Sequence, residues 1–239
     1  MVSKNMLKQL GQLGQKKFRK VHGLFPVEGE KAISTFLACG FELAHSFTVD
    51  DASQNSLEAE VISANDMKKL SSLNTPAKHW AAFRLPQQQP FVPQGLNLAL
   101  DGIRDPGNLG TIIRLCDWFG IHQLLCSTDT ADCFNPKVVQ ASMGSLAKVQ
   151  MHYVDLSSFI SQYKLVAIGT DMQGENIYAS TLPANAVLVM GNEGHGISEE
   201  VKSIVQKNVM IPSVGKPAAE SLNVAMATGI LLSHFRQQA

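Results

Sequence analysis

Long hydrophobic runs are missing from this chain. No window of its 239 residues approaches the roughly 20 apolar positions that a membrane-crossing helix requires. The opening stretch MVSKNMLKQL carries lysines but no apolar centre, so no secretory signal is expected. Cysteine is scarce as well: Cys39, Cys116, Cys126 and Cys133 show neither CxxC nor Cys/His spacing. That argues against a disulfide framework and against a metal site, and predicts reduced thiols in a cytoplasmic protein. Disorder is excluded by what is present, since 45% hydrophobic against 17% charged residues is enough apolar material for a core. The length suits two domains better than one.

Acidic residues are absent from Met1 to Val27, where Lys4, Lys8, Lys16, Lys17, Arg19 and Lys20 supply six positive charges. The rest of the chain holds the other 14 basic residues against all 20 acidic ones, a net charge of −6. A basic arm on a mildly acidic body is a candidate nucleic-acid contact, because phosphate attraction follows local Lys/Arg density. A solvated amino-terminal helix would look the same. Lys16, Lys17, Arg19 and Lys20 are the densest part of the arm and the expected RNA-binding residues.

The stretch from Leu85 to Gly95 has three prolines and four glutamines, and reads as the link between two regions. Before it, residues 20–85 alternate short apolar runs with polar turns, which predicts a small α/β unit. A helix is expected at 31–39 closed by Gly40, strands at 45–49, 60–63 and 79–84, and a helix at 66–73. After it, strands and helices alternate strictly. Strands are expected at 96–101, 122–127, 148–153, 165–169, 186–190 and 209–211, with helices at 107–119, 136–142, 156–162, 198–206 and 221–235. Strands separated by helices pair in parallel, carry helices on both faces, and place a ligand crevice at their carboxyl ends.

Three loops fall at such ends. The first runs Asp101-Gly-Ile-Arg-Asp-Pro-Gly-Asn-Leu-Gly-Thr-Ile-Ile-Arg114. On one helix, Asn108 and Arg114 would sit 120° short of two full turns apart and therefore on different faces. The second, Val189-Met-Gly-Asn-Glu-Gly-His-Gly-Ile197, packs three glycines into six positions. Its GxxGxG spacing is not the dinucleotide fingerprint, and Glu193 would repel a pyrophosphate. Backbone amides beside a carboxylate suit a cationic or hydroxyl-bearing ligand. The third, from Ile211 to Val224, contains Glu-Ser-Leu-Asn, in which Ser221 has the chemistry of a helix N-cap.

Taken together, the order of these loops, the Asn-x5-Arg spacing, the GNEGxG turn and the IP…G…ESLNV segment resemble the SpoU/TrmH family of RNA ribose 2′-O-methyltransferases, in the wider SPOUT class. The resemblance spans about residues 97–236, and a weaker one from Val27 through Pro76 is similar to the substrate-binding domain many members carry. It implies an α/β fold in which a parallel-sheet domain with a trefoil knot, residues 96–239, follows a small RNA-binding α/β domain, residues 1–90. It implies S-adenosylmethionine as cofactor, a homodimer, and ribosomal RNA as partner. Asn108, Arg114, Glu193, Ser221 and Asn223 would be the catalytic set. Thr170, Met190, Gly191, Asn192, Ile211 and Leu222 would hold the cofactor, with main-chain contacts at Gly191, Ile211 and Leu222.

The reaction is an in-line displacement, so the protein must chiefly align the hydroxyl and ease loss of its proton. Stripping a proton from a guanidinium at neutral pH costs roughly 8 kcal/mol. Arg114 is therefore expected to orient the hydroxyl and stabilise the developing alkoxide rather than to act unaided as a base. Transfer RNA as substrate, a base rather than a ribose as target, and a non-catalytic assembly factor that kept the fold are the alternatives.

Overall fold

The computed structural model describes residues 2–50, 59–181, 183, 185–215 and 220–238. In chain order the elements begin α1 (Lys4–Gly11), α2 (Lys16–His22), β1 (Leu24–Glu28), α3 (Glu30–Ala38), β2 (Leu43–Thr48), β3 (Glu60–Val61), α4 (Ala64–Leu70) and β4 (His79–Arg84). They continue with β5 (Leu96–Leu100), α5 (Pro106–Trp118), β6 (Gln123–Cys126), α6 (Pro136–Ser142), β7 (Gln150–Tyr153) and α7 (Leu156–Gln162). The last are β8 (Ala167–Asn176), β9 (Ala186–Met190), α8 (Glu199–Lys202), β10 (Lys207–Met210) and α9 (Val224–Gln238). The chain divides into two compact units, Met1–Gln87 with Asp132–Lys148, and Gln88–Ala131 with Val149–Ala239. A single cut at the Pro/Gln-rich stretch was expected; instead the segment 132–148 packs with the amino-terminal region.

The first unit is built on a four-stranded sheet of order β1-β4-β2-β3, antiparallel except for the β2–β3 pair. Its core is aromatic: Phe25, Phe36, Phe83 and Trp80 are fully buried, and the ring of Phe134 from the inserted segment lies 4.6 Å from that of Phe25. Leu7, Leu10 and Leu13 of the basic arm are buried in a cluster with Met67, Leu70 and Trp80, so the arm is a packed pair of helices, not a solvated one. Lys16, Lys17 and Lys20 are exposed on α2.

Arg19 departs from the expectation of an RNA contact. It is 3% exposed, and its guanidinium donates to Asp132 Oδ2 at 2.6 Å and to the carbonyls of Leu13 and Gly14 at 2.8 and 2.9 Å. A buried guanidinium whose donors serve protein acceptors has little left for a phosphate. Its charge holds the inserted segment to α2.

The second unit is a six-stranded sheet of order β10-β8-β9-β5-β6-β7 in which every pairing is parallel. The α/β parallel architecture is as the alternating pattern predicted. β5 and β9 are buried along their whole length, which is why they read as unbroken apolar runs. Phe91, in the middle of the expected link, is buried in this unit with its ring 5.2 Å from those of Phe159 and Tyr163. Helix α5 starts where Asp105 accepts the Asn108 N–H at 2.8 Å and Pro106 takes the first turn. It buries Leu109, Ile112, Ile113 and Cys116, one face at helical spacing. At its other end the Arg236 guanidinium donates to the carbonyls of Phe119 and Gly120 at 2.7 and 3.1 Å, satisfying acceptors that a helix end leaves open.

Candidate active site

The chain runs outward from β5 through β6 to β7, then returns to place β8, β9 and β10 on the opposite side of β5. Such a reversal opens a crevice at the carboxyl ends of the strands. The loops after β5 and β9 are tied together there. Asn192 Nδ2 donates to the Gly102 carbonyl at 2.7 Å, and the Ser198 N–H donates to the buried Asp101 carboxylate at 2.7 Å. Asn192 Oδ1 accepts from the N–H groups of Gly194 and His195 at 2.9 and 3.2 Å and so closes the glycine-rich turn. Gly191 is required: a Cβ there would lie 2.4 Å from the backbone of Gly196 and Ile197.

A cavity of about 460 Å³ opens against this turn, between Thr170, the end of β9 and the segments after β10. All six residues expected to hold the cofactor, Thr170, Met190, Gly191, Asn192, Ile211 and Leu222, line it. Thr170 sits just past the last β8–β9 pair and donates its hydroxyl to the Val189 carbonyl at 3.0 Å, which fixes the wall on that side. Among the described residues of the lining, Asp171, Glu193 and Glu220 are acidic and Lys202 carries the one ammonium. Lys202 is engaged by Glu199 at 2.7 Å, outside the lining. An apolar slot with a bare-backbone turn and an excess of negative charge fits S-adenosylmethionine, which joins a flat base and a sugar to a sulfonium and an ammonium.

Of the five expected catalytic residues, three form one network. Asn108 Nδ2 donates to the Glu193 carboxylate, and Asn223 Nδ2 donates to Asn108 Oδ1 at 3.0 Å and to Glu193 Oε1 at 3.3 Å. Asn108 reaches it as the third residue of α5, from the first turn of the helix. Ser221 and Glu193 face the same cavity. Ser221 is not the N-cap of the last helix: α9 starts at Val224, and Asn223 Oδ1 accepts from the N–H groups of Ala225 and Met226 at 3.0 and 3.3 Å. Asn223, two positions on, is itself the cap.

Arg114 stands apart. It is exposed on α5 and, among the described residues, takes part neither in the network nor in the cavity lining, as the 120° offset from Asn108 requires. It shares the exposed face of α5 with Thr111 and with Trp118, which is 83% exposed. Helix α9 packs against α5, with Leu115 side-chain carbons about 3.5 Å from where a Cβ on Gly229 would sit, and it exposes Met226 at 64%. Sequence reasoning missed Asp171, Lys202 and Glu220 on the cavity wall and the bracing role of Asn192. The Asp-Pro pair at 105–106 was the readable signal for the start of α5. Among the described residues no His/Cys/Asp/Glu cluster has the makings of a metal site, and no helix is long and apolar enough to cross a membrane.

Both regions of the chain resemble known proteins. Residues 95–233 match the SpoU rRNA Methylase family, and residues 4–81 match the MRM3-like substrate binding domain. The 23S rRNA (guanosine(2553)-2′-O)-methyltransferase RlmP of Bacillus subtilis is 27% identical over 96% of this chain and 95% of its own. A solved structure described as a putative RNA methyltransferase of the TrmH family from Porphyromonas gingivalis superposes with a TM-score of 0.90 at 38% identity, covering 100% of both chains. An AdoMet-bound rRNA methyltransferase from Sinorhizobium meliloti gives 0.86 at 27% identity, over 99% of this chain and 97% of that one.

Proposed function

Because the chain belongs to the SpoU rRNA Methylase family, we propose that it methylates a ribose 2′-hydroxyl in ribosomal RNA, using S-adenosylmethionine held in the 460 Å³ cavity. The observation that carries this reading is the convergence of Gly191, Ile211 and Leu222 on one cavity beside the Asn108–Glu193–Asn223 network. When bound, the cofactor supplies a methyl group made electrophilic by its sulfonium. The backbone of Gly191, Ile211 and Leu222 would hold it, Met190 and Thr170 would wall the slot, and Asp171, Glu193 and Glu220 would offset its positive charge. Asn108 and Asn223 hold the Glu193 carboxylate in place, and with Ser221 they orient the incoming ribose. Arg114 steadies the hydroxyl and its neighbouring phosphate as negative charge develops on the oxygen.

The protein acts as a homodimer in the cytoplasm, and its carboxyl-terminal loops form the trefoil knot of the SPOUT class. Dimerisation is supported by Trp118 on α5 and Met226 on α9, large apolar side chains left exposed on two helices packed together. It also supplies what one copy lacks, an Arg114 at the network. The first unit holds the RNA through Lys16, Lys17 and Lys20.

The test has two arms. Addition of S-adenosylmethionine at 100 times its Kd should raise stability by about 2.7 kcal/mol in a thermal melt. Comparison of 2′-O-methyl sites across total RNA from parent and deletion strains should reveal one lost site in ribosomal RNA. Arg114→Ala should lower turnover by about a hundredfold or more, the scale of losing one oxyanion donor, with cofactor affinity unchanged. Arg114→Lys should recover only part of it, because Lys keeps charge but loses the planar fork. Full turnover by Arg114→Ala would overturn the role given to Arg114, whereas no shift with cofactor would favour an assembly factor.

A further inference from the structure

A second cavity, of about 370 Å³, shares Asn192, His195 and Gly196 with the first. Most of its polar lining is committed to the fold. Asp101 accepts from Ser198, and Asn192 braces Gly102 and the glycine turn. Also on the lining is a pair on the loops after β5 and β6, Arg104 and Asp129, whose side chains are 70% and 49% exposed. Asp129 Oδ2 accepts from Arg104 Nη2 at 2.8 Å, and Oδ1 accepts from Ser127 Oγ at 2.7 Å. Ser127 Oγ is itself fixed, accepting from the Gly102 N–H at 2.8 Å and lying 3.0 Å from Thr130 Oγ1. The Ser127 hydrogen bond, followed by the Arg104 guanidinium, holds the Asp129 carboxyl below its ordinary range, so it is an ionised acceptor.

Each carboxylate oxygen has room for another hydrogen bond, and the guanidinium has four further N–H groups. An exposed ion pair of this kind contributes at most about 1 kcal/mol to stability, so the fold gives little reason to anchor it this firmly. What it offers a ligand is a donor beside two acceptor oxygens. Among the four RNA bases only guanine presents the complement on its Watson–Crick edge, an acceptor at O6 beside donors at N1 and N2. Uracil alternates acceptor, donor, acceptor; cytosine presents one donor and two acceptors; adenine presents one of each. Sequence-specific RNA recognition reads unpaired bases by these edges. Enzymes that modify a nucleotide commonly draw it out of its stack into such a pocket.

We propose that this second cavity selects the nucleotide to be methylated by holding a guanine, with Asp129 accepting from N1–H and N2–H and Arg104 donating to O6. The inference rests on the methyltransferase reading above and names the base that the site takes. Asn192, common to both cavities, then sets the distance between the bound base and the cofactor.

The experiment uses the full-length protein, tritiated S-adenosylmethionine and total RNA from a deletion strain, digested to nucleosides after reaction. The wild-type protein should yield labelled 2′-O-methylguanosine. Asp129→Asn turns a donor toward N1–H and N2–H and should raise the KM for RNA about tenfold or more, the worth of one bidentate base contact. Its cofactor affinity should stay unchanged, an outcome a merely structural role would not give. Arg104→Ala, at an exposed position, should raise the same KM less and serves where the first variant fails to fold. Label on a nucleoside other than guanosine, or wild-type KM in both variants, overturns this inference while leaving the methyltransferase reading intact. Absence of label from all RNA overturns that reading, and this one with it.

Discussion

Asn223 does two things with one amide. Its oxygen caps α9 and its nitrogen donates into the network with Asn108 and Glu193. The two roles separate by substitution. Asn223→Ser keeps a capping oxygen, adds no carboxylate beside Glu193, and loses the amide donor; it should melt within about 0.5 kcal/mol of the wild type and lose most of its turnover. Asn223→Ala should lose both, with about 1 kcal/mol of stability gone in urea titration. Equal stability losses in the two variants would show that capping is not the oxygen's task. That Asn108, Glu193 and Asn223 belong to one place was legible from the order of the loops, because each follows a strand of a parallel sheet and such loops gather at one rim. Which side chain touches which was not legible. Ser221 and Asn223 are both good caps in sequence, and only the start of α9 at Val224 decides between them. Arg19 looked like its neighbours Lys17 and Lys20, since nothing local announces an acid 113 residues away.

At the level of elements, α6, α7, β4 and β9 lie where the hydrophobic pattern put them. Where the local signal misleads, an element was missed or its end misplaced. β1 contains Pro26, tolerated because β1 is an edge strand of its sheet. α8 stops at Lys202 because the chain turns into β10, where the Gln206 side chain accepts the Ala167 N–H at 2.7 Å. Two expectations about stability belong here. Arg19→Met leaves Asp132 in a largely buried position without its partner and should cost about 3–5 kcal/mol in urea unfolding, whereas Lys20→Ala on the same helix should stay within about 0.5 kcal/mol. On β7, His152 is buried with its ring 5.4 Å from Phe91, and burial lowers its pKa from the ordinary 6.5. The unfolded chain takes up that proton near pH 6.5 and the folded chain only at lower pH. Stability should therefore be full above that range and decline by up to about 1.4 kcal/mol per pH unit below it. The midpoint of urea unfolding measured at pH 7.5 and 5.5 should show the decline, and His152→Leu should flatten it.

For the whole molecule, the distance of Arg114 from the Asn108 network within one copy is the feature with the widest reach. If two copies share a site, mixing Arg114→Ala with Glu193→Ala should restore activity that neither variant has alone. About a quarter of wild-type turnover is expected, the share of sites that random two-fold pairing rebuilds. No recovery after co-refolding would mean that each copy works by itself. The folding of residues 132–148 into the first unit carries a different consequence, one of timing. Phe25 does not meet Phe134, nor Arg19 its counter-ion, until the middle of the polypeptide has left the ribosome. The opening third of the chain is thus translated well before it has all the side chains it needs to settle, and a gene fragment stopping at the glutamine-rich bridge would encode a body with a hole in its heart and a charge stranded inside it.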